Sequence, residues 1–165
     1  VAGAAVSVSG FRRGVRIGID VGRARVGVAR CDPDGMLAVP VETVQRNEQA
    51  IDRIATIAED YDVLEFVVGL PVNLMGADTA STTDSREFAV ALQARTGTPV
   101  RLVDERLSTV TAHAALRSSG RTQKNSRSIV DQIAAVVLLQ QAIDTEKSTG
   151  NPTGATIPLD EESPR

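Results

Sequence analysis

The sequence predicts an α/β fold: one mixed sheet flanked by helices, in a single domain. Three observations predict it. Short runs rich in Val and Ile, punctuated by turn residues, fill the first third of the chain. Apolar residues then recur at helical spacing in three places, and two continuous apolar runs lie between those helical segments and read as strands buried on both faces. A length of 165 residues with 42% hydrophobic and 24% charged side chains suits one domain with a sizeable core.

Residues 15–20, 25–31 and 38–44 read as three consecutive antiparallel strands. The first turn carries Gly22 and Arg23, and the second is the Asp32-Pro33-Asp34-Gly35 signal. Ile51, Ile54, Ala55 and Ala58 recur at i, i+3, i+4 and i+7 and mark a helix over 47–59. The run LEFVVGL at 64–70 predicts a buried strand and 71–79 a loop. Residues 82–96, with Phe88, Ala89 and Leu92, predict a helix, and 99–104 another buried strand. A short helix from Ser108 and a long apolar one over 126–143 complete the order βββαβαβαα. Right-handed crossovers bring the later strands in parallel to the first, on its other side. That is the layout of a five-stranded ribonuclease-H-like fold. The folded unit is read as 14–144, with flexible segments at 1–13 and 145–165, the latter rich in Gly, Pro, Ser and Thr.

Charge is uneven along this layout. The net charge of −3 resides in residues 144–165, where five acids face two bases, so residues 1–143 sum to zero. Within that neutral part, 12–30 holds six arginines and one acid, and 117–127 holds four bases and no acid. Two such basic blocks suit a polyanion, although either block would also serve as an ordinary solvated face. Aromatic content is 2%, so the stacking platforms of many RNA readers are missing and nucleic-acid contact would run through charge and backbone. The single Cys31 excludes an internal disulfide and points to a reduced compartment. No apolar stretch approaches the roughly 20 residues of a membrane span. Arg12 and Arg13 follow the small apolar residues at the start instead of preceding them, the reverse of a secretory leader. A cytoplasmic location with no membrane partner is predicted.

Three carboxylates stand where core packing does not explain them. Asp20 ends the first strand, Glu105 ends the last one in RLVDER, and Asp131 sits inside the apolar helix SIVDQIAAVVLLQ. Parallel strands put their C-terminal ends at one edge, where open α/β sheets place their sites. Asp131 lies one turn before Ala134 and Ala135, so it shares the face packed on the sheet, and the helix's later turns offer it no basic partner. Converging acids repel one another unless a cation intervenes, and oxygen ligands select magnesium or manganese. Each acid alone has a plain structural reading, as a turn former, an ion-pair partner or a cap, so the constellation carries the argument.

Around the acids, the loop GLPVNLMG puts Asn73 beyond a buried strand, where backbone amides and the Asn73 amide suit a phosphate. Lys124 and Arg127 precede Asp131 at the start of its helix. Arg23 and Arg25 from the first basic block, and Arg121 with Lys124 and Arg127 from the second, join Asn73 as expected nucleic-acid contacts. His113 and Cys31 have no partners arranged for nucleophilic or acid–base chemistry and stay outside the site.

The segments RIGIDVGRARVGVA, GLPVNLMG, DERLST and VDQIAAVVLLQ, in that order, resemble the YqgF family, also called RuvX, over residues 14–143. The resemblance implies a ribonuclease-H-like nuclease, and the family's acidic residues fall here on Asp20, Glu105 and Asp131. Catalysis is expected to use two magnesium or manganese ions held by these acids, acting on structured nucleic acid. That substrate is either precursor 16S ribosomal RNA, in ribosome biogenesis, or a branched DNA junction, in recombination; a non-catalytic nucleic-acid-binding module is the alternative. A junction would call for a homodimer. Two departures stand out. Arg23 and Ala24 stand where the family usually shows a Thr-Lys pair. Unlike the better-known resolvases of this fold, which carry the second acid on the fourth strand, this chain ends that strand at Gly69 without an acid, so Glu105 on the fifth strand would have to replace it.

Overall fold

A computed structural model describes residues 10–104 and 123–158. Its strands are β1 (Val15–Val21), β2 (Arg25–Cys31), β3 (Ala38–Gln45), β4 (Val63–Leu70), β5 (Val100–Asp104) and β6 (Ala155–Thr156). The helices are α1 (Ala50–Glu59), α2 (Ala80–Thr96) and α3 (Gln123–Thr149). The sheet order is β3-β2-β1-β4-β5-β6. β1 pairs antiparallel with β2 and parallel with β4, and β4 pairs parallel with β5. This is the ribonuclease-H-like arrangement, with six strands rather than five. The short helix expected from Ser108 lies outside the described residues.

Alternation along the strands sorts the core into two layers. Ile17, Ile19, Val26, Val28, Phe66 and Val68 face Ile54, Ile57, Phe88 and Leu92 of α1 and α2. The intervening Ala29, Cys31 and Val67 face Ala135, Leu138, Leu139 and Ile143 of α3. Both faces are covered, which is why β1 and β4 read as continuous apolar runs. Among the described residues no helix is long and apolar enough to cross a membrane.

The ends of the chain differ from the sequence reading. α3 does not stop near 143 but runs to Thr149, and the chain then returns as β6 along β5. The cause lies in charges the apolar pattern cannot register. Glu146, 3% exposed, accepts from Arg12 and from the buried Arg16, and Arg12 also reaches Glu65, itself bonded by Arg101. Arg101 donates onward to the Thr153 carbonyl, tying the segment before β6 to β5. At the other end Phe11 is buried under the Arg16 guanidinium, 4.4 Å from its ring centre. Residues 11–13 and 145–157 therefore carry part of the core and the sheet.

Candidate active site

Two of the three predicted carboxylate residues lie at one edge of the sheet, and glycines bring their backbones close there. Gly18 of β1 faces α3: a Cβ added to it would lie 2.9 Å from the Ala135 carbonyl oxygen. Asp20, two residues on, shares that face. Its cross-strand partner is Gly27 of β2. A Cβ on Gly27 would fall 1.9 Å from the Asp131 carbonyl oxygen, so the helix backbone rests directly on the strand at that point. The absent side chain at 27 thus sets Asp131 beside Asp20, at the ends of β1 and α3 that face the β1–β2 turn.

Asp131 is half-buried, and its partner comes from the sheet rather than from its own helix, which is where the sequence reading looked. Arg25 Nε donates to Asp131 Oδ2 at 2.8 Å. Burial pushes the Asp131 carboxyl above its ordinary value, and Arg25 offsets only part of that rise. Carboxylate oxygens are hard donors, the kind that suits magnesium or manganese. Among the described residues no three acidic, histidine or cysteine side chains gather as a metal site. The third expected ligand, Glu105, lies outside the described residues, as do Arg121, His113 and the side chains of Lys124 and Arg127.

The remaining expected contacts are placed as follows. Arg23 is exposed on the β1–β2 turn. Arg25 is engaged by Asp131. Asn73 is exposed, but its side-chain oxygen is used by its own loop, accepting from the Met75 and Ala77 amides. That loop is anchored to α2, where Thr79 and Thr82 form a capping box and the Thr82 hydroxyl donates to the Pro71 carbonyl. Cys31 is fully buried, and burial pushes its thiol up, as befits a residue with no nucleophilic part.

The family model for RuvX, described as a Holliday junction resolvase, matches residues 14–145. The chain belongs to the RuvX family. Its RuvX relatives include a protein of Leifsonia xyli subsp. xyli, 57% identical over 149 residues, which are 89% of this chain and 96% of that one. A protein of Nocardioides sp. is 53% identical over 153 residues, covering 89% and 98%. Both are named as candidate pre-16S rRNA nucleases. Among solved structures, T. thermophilus RuvC in complex with a Holliday junction substrate superposes with a TM-score of 0.51 at 17% identity, covering 85% of this chain and 99% of RuvC. That likeness bears on the fold. RuvX is a nuclease family, so the reaction class it brings is hydrolysis of phosphodiester bonds.

Two features of the site were not found from sequence. The glycines at 18 and 27 lie on the same face as Asp20, and reading β1 and β2 as alternating strands would have exposed that pattern of small residues. Arg25 as the partner of Asp131 has no local signal, since 106 residues separate the two.

Proposed function

We propose that this chain is a metal-dependent nuclease that hydrolyses phosphodiester bonds in precursor 16S ribosomal RNA. The observation that carries the reading is Asp20 set beside Asp131 across the bare backbone of Gly27. Asp20, Glu105 and Asp131 would hold two magnesium or manganese ions, which when bound supply an activated water and a Lewis acid for the leaving oxygen. Arg25 fixes the Asp131 carboxylate and limits its rotation. Arg23, Asn73, Arg121, Lys124 and Arg127 hold phosphates of the substrate, a contact that carries affinity without base readout, in keeping with the scarcity of aromatic side chains. The names of the relatives favour the ribosomal precursor as substrate.

The family description supports a second reading, a four-way DNA junction. Cleavage of a ribosomal precursor and a junction, side by side, with magnesium or with EDTA, distinguishes them. The expected result is magnesium-dependent cutting of the RNA. Asp20→Asn should abolish that cutting while leaving the thermal unfolding curve in place. Unchanged activity in Asp20→Asn would remove the reaction from this edge of the sheet.

A further inference from the structure

The two aspartates lie on the α3 face of the sheet. On the opposite face of the same edge the chain builds a second charged feature. Arg46, the first residue after β3, lays its guanidinium over the Phe88 ring at 5.0 Å. Its Nη1 donates to the Gly22 carbonyl at 2.9 Å and to Asp84 Oδ2 at 3.0 Å, and its Nη2 donates to Asp84 Oδ1 at 2.8 Å. Arg23 follows Gly22 on the turn. With Ala80, Ser81 and Asp84 the two arginines line an open pocket of about 480 Å³.

The lining decides what such a pocket can hold. Ala80 is its one apolar side chain, so an apolar ligand has almost nothing to bury against. Two guanidinium groups against one carboxylate leave a net positive charge. The planar fork of arginine matches an anion with several acceptor oxygens, a carboxylate or a phosphate. Arg46 is held by a backbone carbonyl, a carboxylate and a ring, so its rotamer is fixed before any ligand arrives, which lowers the entropic cost of binding. The pocket is also tied to the proposed cleavage site through the chain itself. Gly22, whose carbonyl holds Arg46, lies two residues beyond Asp20, on the order of 7 Å along an extended strand.

We propose that this pocket takes a non-scissile backbone phosphate of the strand being cut, with Arg23 and Arg46 as positioning residues and Asp84 holding Arg46 in place. The substrate then crosses the sheet edge over the β1–β2 turn, with the cut on the α3 face and this phosphate on the α2 face. The inference rests on the nuclease reading for its substrate class.

The test measures binding of a labelled ribosomal-precursor RNA in EDTA, so that nothing is cut, as a function of salt. Each lost phosphate contact should lower the slope of log affinity against log salt by about 0.7 to 0.9. Arg23→Ala, at an exposed position, and Arg46→Gln are each expected to show that loss, and Arg46→Lys to restore the slope by returning the charge. With magnesium, both loss variants should raise KM several-fold and move kcat less. An Arg23→Ala slope equal to that of the wild type overturns the proposal. So does an Arg46→Gln variant that loses thermal stability with its slope unchanged, since Arg46 would then serve only the packing of Phe88. If the slopes fall as expected but the wild type cuts nothing with magnesium or manganese, the nuclease reading fails while the phosphate pocket stands.

Discussion

Gly27 has no side chain to contribute, yet the position of Asp131 depends on it. Glycine is required there because the α3 backbone occupies the space of a Cβ, not because of an unusual backbone angle. Since the obstructing atom is a main-chain carbonyl, a methyl group at 27 cannot be accommodated by turning a side chain. Gly27→Ala should therefore destabilise the fold by about 3 kcal/mol, the upper part of the usual range for overpacking. It should also lower cleavage beyond what the lost stability explains, because the helix must move away from Asp20. Urea unfolding and single-turnover cleavage at a temperature where the variant is fully folded separate the two effects. Gly18→Ala meets its nearest atoms at 2.9 Å rather than 1.9 Å and should cost less.

At the scale of elements, α3 is a strut of 27 residues, about 40 Å long, with a different duty at each end. One end presents Asp131 to the site. The other plants Glu146 among the arginines at the start of β1. Burial works to raise the Glu146 carboxyl, but hydrogen bonds from the Arg12 side chain and amide, with the nearby Arg16 charge, outweigh it and hold the group below its ordinary value of 4.5. A carboxyl depressed on folding contributes stability that is fully present above pH 4.5 and is lost as the pH falls through the folded value. Acid unfolding should therefore begin below pH 4.5 in the wild type. Glu146→Gln leaves Arg16 buried without its counter-charge and should cost about 3 kcal/mol at neutral pH. Its stability should also fall less steeply in acid. Chemical denaturation from pH 3 to 7 reads both.

For the whole molecule, the arginine–glutamate network makes residues 11–13 and 145–157 part of the fold. A chain ended after residue 144, the boundary read from the sequence, loses Glu146 and β6 and should melt on the order of 10 °C lower than the full chain. Assembly bears on the substrate. A four-way junction is two-fold symmetric and needs two matched cuts, which one chain with one set of acids does not present, whereas trimming an RNA end needs a single cut. Sedimentation with and without a junction is expected to show a monomer in both cases if precursor RNA is the substrate. A dimer formed on the junction would favour resolution.

The sequence by itself determined the order of β1 to β5 with the helices α1 and α2 and the core of α3, though not β6, because β1, β2, β4 and β5 are buried enough to read as apolar runs and the turns carry Gly22 and the Asp32–Gly35 signal. It also pointed to Asp20 and Asp131, since a charge inside an apolar strand or helix stands out against its neighbours. It could not determine what those charges meet. Arg25 and Asp131 lie 106 residues apart, Arg12 and Glu146 lie 134 apart, and Arg46 and Asp84 lie 38 apart. The helix reads as ending near 143 because its apolar repeat stops there; what continues it is the pair of ion pairs from Glu146 to Arg12 and to Arg16 of β1. Hydrophobic periodicity is a local property of the chain, whereas charge pairing and close backbone approach arise only once sheet and helix are packed together. For that reason the elements were legible in the sequence and the ion pairs, the pocket at Arg46 and the glycine seat of Asp131 were decided by the tertiary structure.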